Sequence, residues 1–369
     1  MDLKKLVISC GGTGGHFFPG LSTARVFREQ GGEVLLLLSG VHAPAQREIA
    51  AGYGIEAVAL PEMPHYRRHP IRFLRGFFGG LSEAKRRIRR FGAQAVLGMG
   101  SFATLPVMLA ALRCKVPVFL HDGNARIGRA NRLFSRFARF VASAFPAVNG
   151  SACRCRVWEA GMPLRPEMRG SAAADRKSAI DAVNREFGTA FSPDLPLILV
   201  TGGSQGAAVF NTVLPEALCR AGSGFQVIHL AGKGKTADAG RIYGQAAFPH
   251  LLLESTGRMG EVLAAADLVF SRSGGSTIAE LALFGRAAVL VPYPYAAEGH
   301  QLDNARCFAD RQAAKLVENR ELTVERAEAL IRDFLLHPRE WSAMGERMRQ
   351  LARPDAAEAL IAEISSESD

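Results

Sequence analysis

No stretch of this 369-residue chain holds the roughly 18 unbroken apolar residues of a membrane-spanning helix, which excludes a helical membrane protein. Cysteine is sparse: six residues, at 10, 114, 153, 155, 219 and 307. Only Cys153 and Cys155 are close, and one C-x-C without a second pair has neither metal-site spacing nor a disulfide framework. Reduced thiols in a reducing compartment are expected. No Asp-x-Asp is placed to hold a metal, so neither metal nor cofactor is expected. Neither glycine-rich turn carries the Lys-Ser/Thr of a P-loop, which argues against nucleotide hydrolysis of that kind. The start, Met-Asp-Leu-Lys-Lys, leads straight into an apolar run without a signal-peptide pattern, so a cytoplasmic protein is expected.

The length suits two ordinary domains, and an apolar fraction of 48% suits a globular chain. The net charge of +10 is unevenly spread. Residues 1–162 hold 23 of the 45 Lys and Arg but 9 of the 35 Asp and Glu, hence +14 against −4 for the remainder. A basic half of this kind meets nucleic acid or an anionic membrane surface.

The first half alternates strands and helices. Expected strands are Lys5–Cys10, Val34–Leu38, Ala57–Leu60, Ala95–Gly98, Val118–His121 and Phe140–Ala144. The alternation predicts an α/β fold with a doubly wound parallel sheet, which binds ligands beyond the carboxyl ends of its strands. Three glycine-bearing loops fall there: Gly11–His16, Gly98–Thr104 and His121–Asn124. The first, Gly11-Gly12-Thr13-Gly14-Gly15-His16, lies between an apolar run and the helix-compatible Pro19–Phe27. That layout lets backbone N–H groups and a helix N-terminus hold an anion. His16 is read as the end of the turn, where an imidazole could reach a reacting hydroxyl.

Residues 65–90 interleave basic and large apolar residues. Ile71, Leu74, Phe78 and Leu81 share one helical face, with Phe73 and Phe77 beside it and Arg72 and Arg75 among them. One reading is an amphipathic helix with its apolar face in the core and its arginines solvated. The other is an interfacial patch whose aromatics enter lipid while arginines meet anionic head groups. The glycines here, which weaken a buried helix, favour the second.

Gly161–Pro166 reads as a linker, and a boundary is placed after residue 162. The plan then recurs. The strand Leu197–Val200 runs into Thr201-Gly-Gly-Ser-Gln-Gly206 and a helix over about 207–221. Further strands are expected at Val227–Leu230, Leu251–Glu254, Leu268–Phe270, Ala288–Val291 and Ala314–Val317. The last helix, 341–361, breaks at Arg353-Pro354, so a tail over 351–369 could return to the first domain, leaving 163–350 as the second.

A dinucleotide cofactor does not fit the first turn. Gly12-Thr-Gly14-Gly-His-Phe17 lacks the third glycine of the fingerprint, and the second strand lacks its terminal acid. In Ser271-Arg-Ser-Gly-Gly-Ser-Thr-Ile-Ala-Glu280, residues 274–277 form a helix start able to hold a diphosphate. Glu280 lies about one turn on, within reach of a ribose; the plain alternative is an N-cap with a surface carboxylate. Val291–Asn304 brings His300, Gln301 and Asn304 to one face, where amides suit sugar hydroxyls, or else caps the next helix.

Taken in order, Gly-Gly-Thr-Gly-Gly-His at 11–16, Gly98-Met-Gly100, His121 with Asn124, Gly202-Gly-Ser-Gln-Gly-Ala207, Ser271-Arg-Ser-Gly, and Pro292-Tyr-Pro-Tyr-Ala-Ala with His-Gln and Asn-Ala305 resemble the MurG family of GT-B glycosyltransferases. The resemblance spans nearly the whole chain. It implies two Rossmann-like domains facing each other across a cleft. The reaction implied is transfer of N-acetylglucosamine from UDP-N-acetylglucosamine to lipid I, undecaprenyl-pyrophosphoryl-muramoylpentapeptide, giving lipid II for peptidoglycan. It also implies a peripheral location on the cytoplasmic face of the bacterial cell membrane, and cell-wall synthesis or division proteins as partners. Carried over by position, Thr13, Gly14 and Gly15 line phosphates, Asn124 meets the donor sugar, and Arg165 and Ser204 meet the nucleotide side. Thr256 lies near the uracil, Gly275, Ser276, Thr277 and Glu280 hold diphosphate and ribose, and Gln301 holds the sugar hydroxyls. The chain departs from the family's usual His-Glu-Gln-Asn at His121-Asp-Gly-Asn124, from a second glycine at Ser101, and from Gly-Asn-Pro-Val-Arg at Gly161-Met-Pro-Leu-Arg165.

The implied reaction is a single, inverting displacement. It needs a base, and His16 is assigned that role because an imidazole titrates near neutrality; the alternative is that it only orients a phosphate. Three rivals remain: a GT-B transferase using another lipid acceptor such as diacylglycerol, a basic nucleic-acid-binding module, and an inactive sugar-nucleotide sensor. The reading adopted has no nucleic-acid partner.

Overall fold

The central strands carry no polar alternation because both faces of their sheets are covered by helices. Val7 and Leu36, for example, are fully buried. The structure, a computed structural model, describes residues 3–64, 68–203 and 206–368. It divides the chain into two compact units, 1–165 with 353–369 and 166–352.

The first unit runs β1 (Lys5–Gly11), α1 (Gly14–Glu29), β2 (Glu33–Ser39), α2 (Ala43–Gly52), β3 (Glu56–Ala59), α3 (Pro70–Phe91), β4 (Ala95–Gly98), α4 (Leu105–Arg113), β5 (Val118–Asp122), α5 (Arg129–Phe134), β6 (Phe140–Ser143) and β7 (Arg156–Glu159). All pairings are parallel, in the order β3-β2-β1-β4-β5-β6-β7. The order reverses between β1 and β4, so the loops after those strands border the switch point at which doubly wound sheets bind ligands. β7 escapes the sequence pattern because it is a four-residue edge strand, Arg-Val-Trp-Glu, without a buried run.

The second unit runs α6 (Pro166–Ala172), α7 (Arg176–Phe187), β8 (Leu197–Thr201), α8 (Ala208–Ala221), β9 (Gln226–Leu230), α9 (Ala237–Tyr243), β10 (His250–Leu253), α10 (Met259–Ala265), β11 (Leu268–Ser271), α11 (Gly275–Phe284), β12 (Ala287–Leu290), α12 (His300–Ala309), β13 (Lys315–Leu316), α13 (Val324–Leu336) and α14 (Pro338–Gln350). Its parallel sheet is ordered β10-β9-β8-β11-β12-β13 and reverses between β8 and β11. α15 (Ala356–Ser366) belongs to the first unit, where Leu360, Ile361 and Ile364 join the core under α1. Arg156 pairs there with Glu363 and Glu367.

Three expectations need correction. The first unit ends at Arg165, three residues beyond the expected boundary, because Gly161–Arg165 stays tied to it. Gly161 O accepts from the buried His121 Nε2 at 2.9 Å, and Arg165 lies over the Phe18 ring. Pro166 is not linker but opens a helix, where its missing N–H costs nothing. The glycines of α3 do not mark an unburied helix: a Cβ on Gly76 would stand 2.1 Å from Glu62 O, so the helix approaches that segment through its glycine.

Candidate functional site

In the first unit three strand-end loops converge. Gly11 adopts φ +127, and a Cβ there would stand 2.6 Å from Ser39 O, so the chain leaves β1 through a turn only glycine fits. Gly12 N donates to Ser39 O at 2.8 Å. Thr13 is the N-cap of α1 but its side chain makes no cap hydrogen bond. The N–H groups of Gly14 and Gly15, both exposed, therefore point out of the helix start as donors for an anion.

The helix begins at Gly14, so His16 is on its first turn and not at the end of a loop, as the sequence reading had it. Its Nδ1 lies 2.9 Å from Met99 O in the loop after β4. A carbonyl only accepts, so Nδ1 carries the proton and the lone pair of the neutral ring is on Nε2. That nitrogen has no hydrogen-bond partner among the described residues. The close approach is made by Gly100, φ +84, where a Cβ would stand 3.3 Å from the ring.

The loop after β5 is closed by Asp122. Its Oδ2 accepts from Gly128 N at 2.8 Å and Asn131 Nδ2 at 3.0 Å, and its Oδ1 from Asn124 N at 3.2 Å. Asn124 is thereby held half-buried beside the first loop. His121 is enclosed, and burial lowers its basicity, so it acts as a neutral tie to Gly161. The two departures at 123 and 162 meet: a Cβ on Gly123 would stand 3.0 Å from Met162 Cε. Met162 fills the space a side chain at 123 would take. Arg165 lies over the Phe18 ring at 5.5 Å, and Phe18 packs on Gly14, so Arg165 borders the same loop.

In the second unit, α11 starts at the end of β11 with Gly274 as an N-cap that offers no side chain. Ile278 N is the first to reach Gly274 O, at 3.0 Å, so the N–H groups of Gly275, Ser276 and Thr277 face outward as anion donors. Ser276 Oγ is buried and has no partner among the described residues. Glu280 is half-buried farther along the helix.

Gln301, on the first turn of α12, is brought to α11 by Ser273, whose Oγ donates to Gln301 O at 2.8 Å. Its Oε1 accepts from Tyr293 N at 2.9 Å, which holds the preceding loop. Asn304 does not line a surface: it is fully buried and its Nδ2 donates to Ser273 O at 3.1 Å. Arg272, absent from the expected site residues, fastens the two loops. Its Nη1 donates to Val291 O and Pro292 O, between the rings of Phe210 and Tyr293, and burial lowers its pKa. Its sequence signal was its place inside Ser271-Arg-Ser-Gly.

Thr256 is not brought to this cluster. It follows β10, which β9 and β8 separate from β11, and its Oγ1 accepts from Arg258 N at 2.9 Å. Ser204 lies outside the described residues, but its loop is bounded by Gly206, whose Cβ would meet Ala231 O at 2.2 Å.

On α3, Ile71, Leu74 and Phe78 are 67%, 52% and 59% exposed, whereas Phe73 and Phe77 are half-buried. Arg72 and Arg75 are exposed among them, and Phe102 extends the patch by stacking on Phe73 at 6.0 Å. Leu81, read on the same face, is in the core. Among the described residues, no helix is long and apolar enough to cross a membrane, and no three His, Cys, Asp or Glu group to hold a metal.

Residues 6–143 match the glycosyltransferase family 28 N-terminal domain and 197–360 match its C-terminal domain. A protein of Dechloromonas aromatica, 35% identical with 99% of each chain covered, bears the name UDP-N-acetylglucosamine--N-acetylmuramyl-(pentapeptide) pyrophosphoryl-undecaprenol N-acetylglucosamine transferase. A protein of Magnetococcus marinus with the same name is 33% identical, covering 98% of this chain and 97% of its own. The crystal structure of Acinetobacter baumannii MurG superposes with a TM-score of 0.78 at 27% identity, covering 98% of this chain and 99% of that one.

Proposed function

The chain belongs to glycosyltransferase family 28 and, within it, to the MurG family; from that membership we propose that it moves N-acetylglucosamine from UDP-N-acetylglucosamine to the 4-hydroxyl of the muramoyl sugar of lipid I, with inversion, giving lipid II. One observation carries the chemical step: His16 holds its proton on Nδ1 against Met99 O and offers Nε2 at the start of α1. Nε2 accepts the proton of the acceptor hydroxyl as that oxygen bonds to the anomeric carbon. The bond from that carbon to the UDP oxygen breaks, and its electron pair leaves on the diphosphate.

In the first unit, Thr13, Gly14 and Gly15 hold phosphate at the helix start, Asn124 meets the donor sugar, and Arg165 meets the nucleotide side; in the second unit, Ser204 is assigned to the nucleotide. In the second unit, the N–H groups of Gly275, Ser276 and Thr277 take the leaving diphosphate charge. Glu280 binds ribose, Thr256 lies near uracil, and Gln301 binds sugar hydroxyls through its amide N–H. With N–H donors opposite the diphosphate, the transfer proceeds without metal or cofactor. The exposed apolar and arginine patch of α3 rests on an anionic membrane from its cytoplasmic face, where the lipid acceptor is presented. Nucleic acid is not a partner; cell-wall synthesis or division proteins are candidate partners.

The test is transfer of labelled N-acetylglucosamine from its UDP donor to a lipid I analogue, with a chelator present and diacylglycerol in a parallel reaction. Labelled, inverted product from lipid I alone is expected. Product from diacylglycerol alone moves the reading to another lipid acceptor, no product removes it, and loss of activity on chelation removes metal independence.

A further inference from the structure

Ser101 follows Gly100 in the loop after β4 and has φ 75 and ψ 145. Glycine reaches that region freely; a residue with a Cβ does so only under strain. Glu298, also at positive φ, sits at φ 52, ψ 19, in the left-handed helical basin that other residues tolerate. The strained backbone of Ser101 is held from outside: its carbonyl accepts from Thr104 Oγ1 at 2.9 Å and Thr104 N at 3.3 Å, while the preceding Gly100 lies against His16. Glycine would satisfy the same bonds without strain.

The fold gains little from the side chain. Ser101 Oγ accepts one long bond, from Ala103 N at 3.3 Å, within a three-residue 3₁₀ turn. Its O–H proton has no acceptor among the described residues. The oxygen stands 3.9 Å from where a Cβ on Gly12 would be, above the turn that exposes the Gly14 and Gly15 N–H groups. Strained residues cluster at ligand sites, and Ser101 carries an unengaged donor beside an anion cradle.

We propose that Ser101 is a substrate-binding residue, its hydroxyl donating to a phosphate oxygen held at the start of α1. The proposal rests on the reading above, in which the first unit binds the phosphates of the lipid acceptor.

Two variants separate the hydroxyl from the strain. Ser101→Gly removes both; Ser101→Ala removes the hydroxyl and keeps the strain. Ser101→Gly is expected to raise Tm by about 2–5 °C and Ser101→Ala to leave it unchanged or lower. Both are expected to raise the KM for a lipid I analogue roughly tenfold while the KM for UDP-N-acetylglucosamine stays put. Ser101→Gly with wild-type acceptor KM overturns the proposal, as does Ser101→Ala with wild-type acceptor KM. Calorimetric binding of inorganic pyrophosphate, with UDP saturating, checks the contact without turnover. Weaker binding by both variants upholds it even if wild type transfers no sugar, which would sink only the transferase reading. Equal binding by all three proteins overturns it.

Discussion

His16 in the first unit and His229 in the second both lie near the carboxyl edge of a parallel sheet, close to a glycine turn. His16 uses one ring nitrogen, on a carbonyl, and leaves the other without a hydrogen-bond partner among the described residues. His229 is fully buried and uses both: Nδ1 faces Tyr243 Oη at 2.9 Å and Nε2 faces Asn211 Oδ1 at 3.1 Å. Asn211 Nδ2 in turn donates to Ala231 O and Lys235 O, so its Oδ1 accepts from Nε2–H and Tyr243 donates to Nδ1. Burial pushes the His229 imidazole down to about 4. One histidine leaves a ring nitrogen without a partner among the described residues, and the other orders a loop. A position near a glycine turn does not separate the two roles; the number of ring nitrogens already engaged does.

The largest effect that would break this comparison is on turnover. His16→Ala is expected to lower kcat roughly 10²- to 10⁴-fold while leaving UDP-N-acetylglucosamine affinity within about twofold. Steady-state kinetics and donor titration measure both, and unchanged turnover removes His16 from the mechanism.

The next effect is on stability. His229 is neutral when folded down to about pH 4 but protonates near 6.5 when unfolded. The unfolded chain then binds more protons between those values, so stability falls as pH drops from about 6.5 to 4. The drop is about 3 kcal/mol if the group acts alone. His121, also lowered by burial, adds a loss of the same sign. His229→Gln is expected to be less stable at pH 7 and to lose about 3 kcal/mol less on acidification, measured by urea unfolding at pH 7 and 4.5. A drop equal to wild type would show that the ring is not held neutral.

The smallest concerns the outer surfaces. Replacing Leu74 and Phe78 together with Ser is expected to weaken binding to anionic vesicles roughly 10- to 100-fold with Tm little changed, because both side chains are exposed. Unaltered vesicle binding in a sedimentation assay would return α3 to the solvated-helix reading, and binding to oligonucleotides instead would favour the nucleic-acid rival.

Much of this molecule was legible from local pattern. Apolar runs leading into glycine-bearing turns marked β1, β4, β8 and β11, and the loops after them carry most of the proposed site. Glycine at 11, 100 and 206 was readable because a turn or a close approach leaves no room for a Cβ. Where reading failed, a partner distant in sequence decided. Gly76 looked like a weak point in a helix until Glu62 O was found against it. Asn304 looked like a sugar ligand but holds Ser273. Arg272 was visible as a residue and not as a fastener, since its acceptors lie on the following strand's loop.

The sequence by itself determined the two α/β units, the strand-end loops and the residue types of the family motifs, because period, apolar runs and turn residues act over a few neighbours. Tertiary structure alone decided which nitrogen of His16 is basic, since the carbonyl that sets it belongs to Met99, 83 residues away. It also decided that Ser101 carries strain and that Met162 fills the space beside Gly123. Proton placement, strain and filled volume are properties of groups brought together by folding, and no local pattern encodes them.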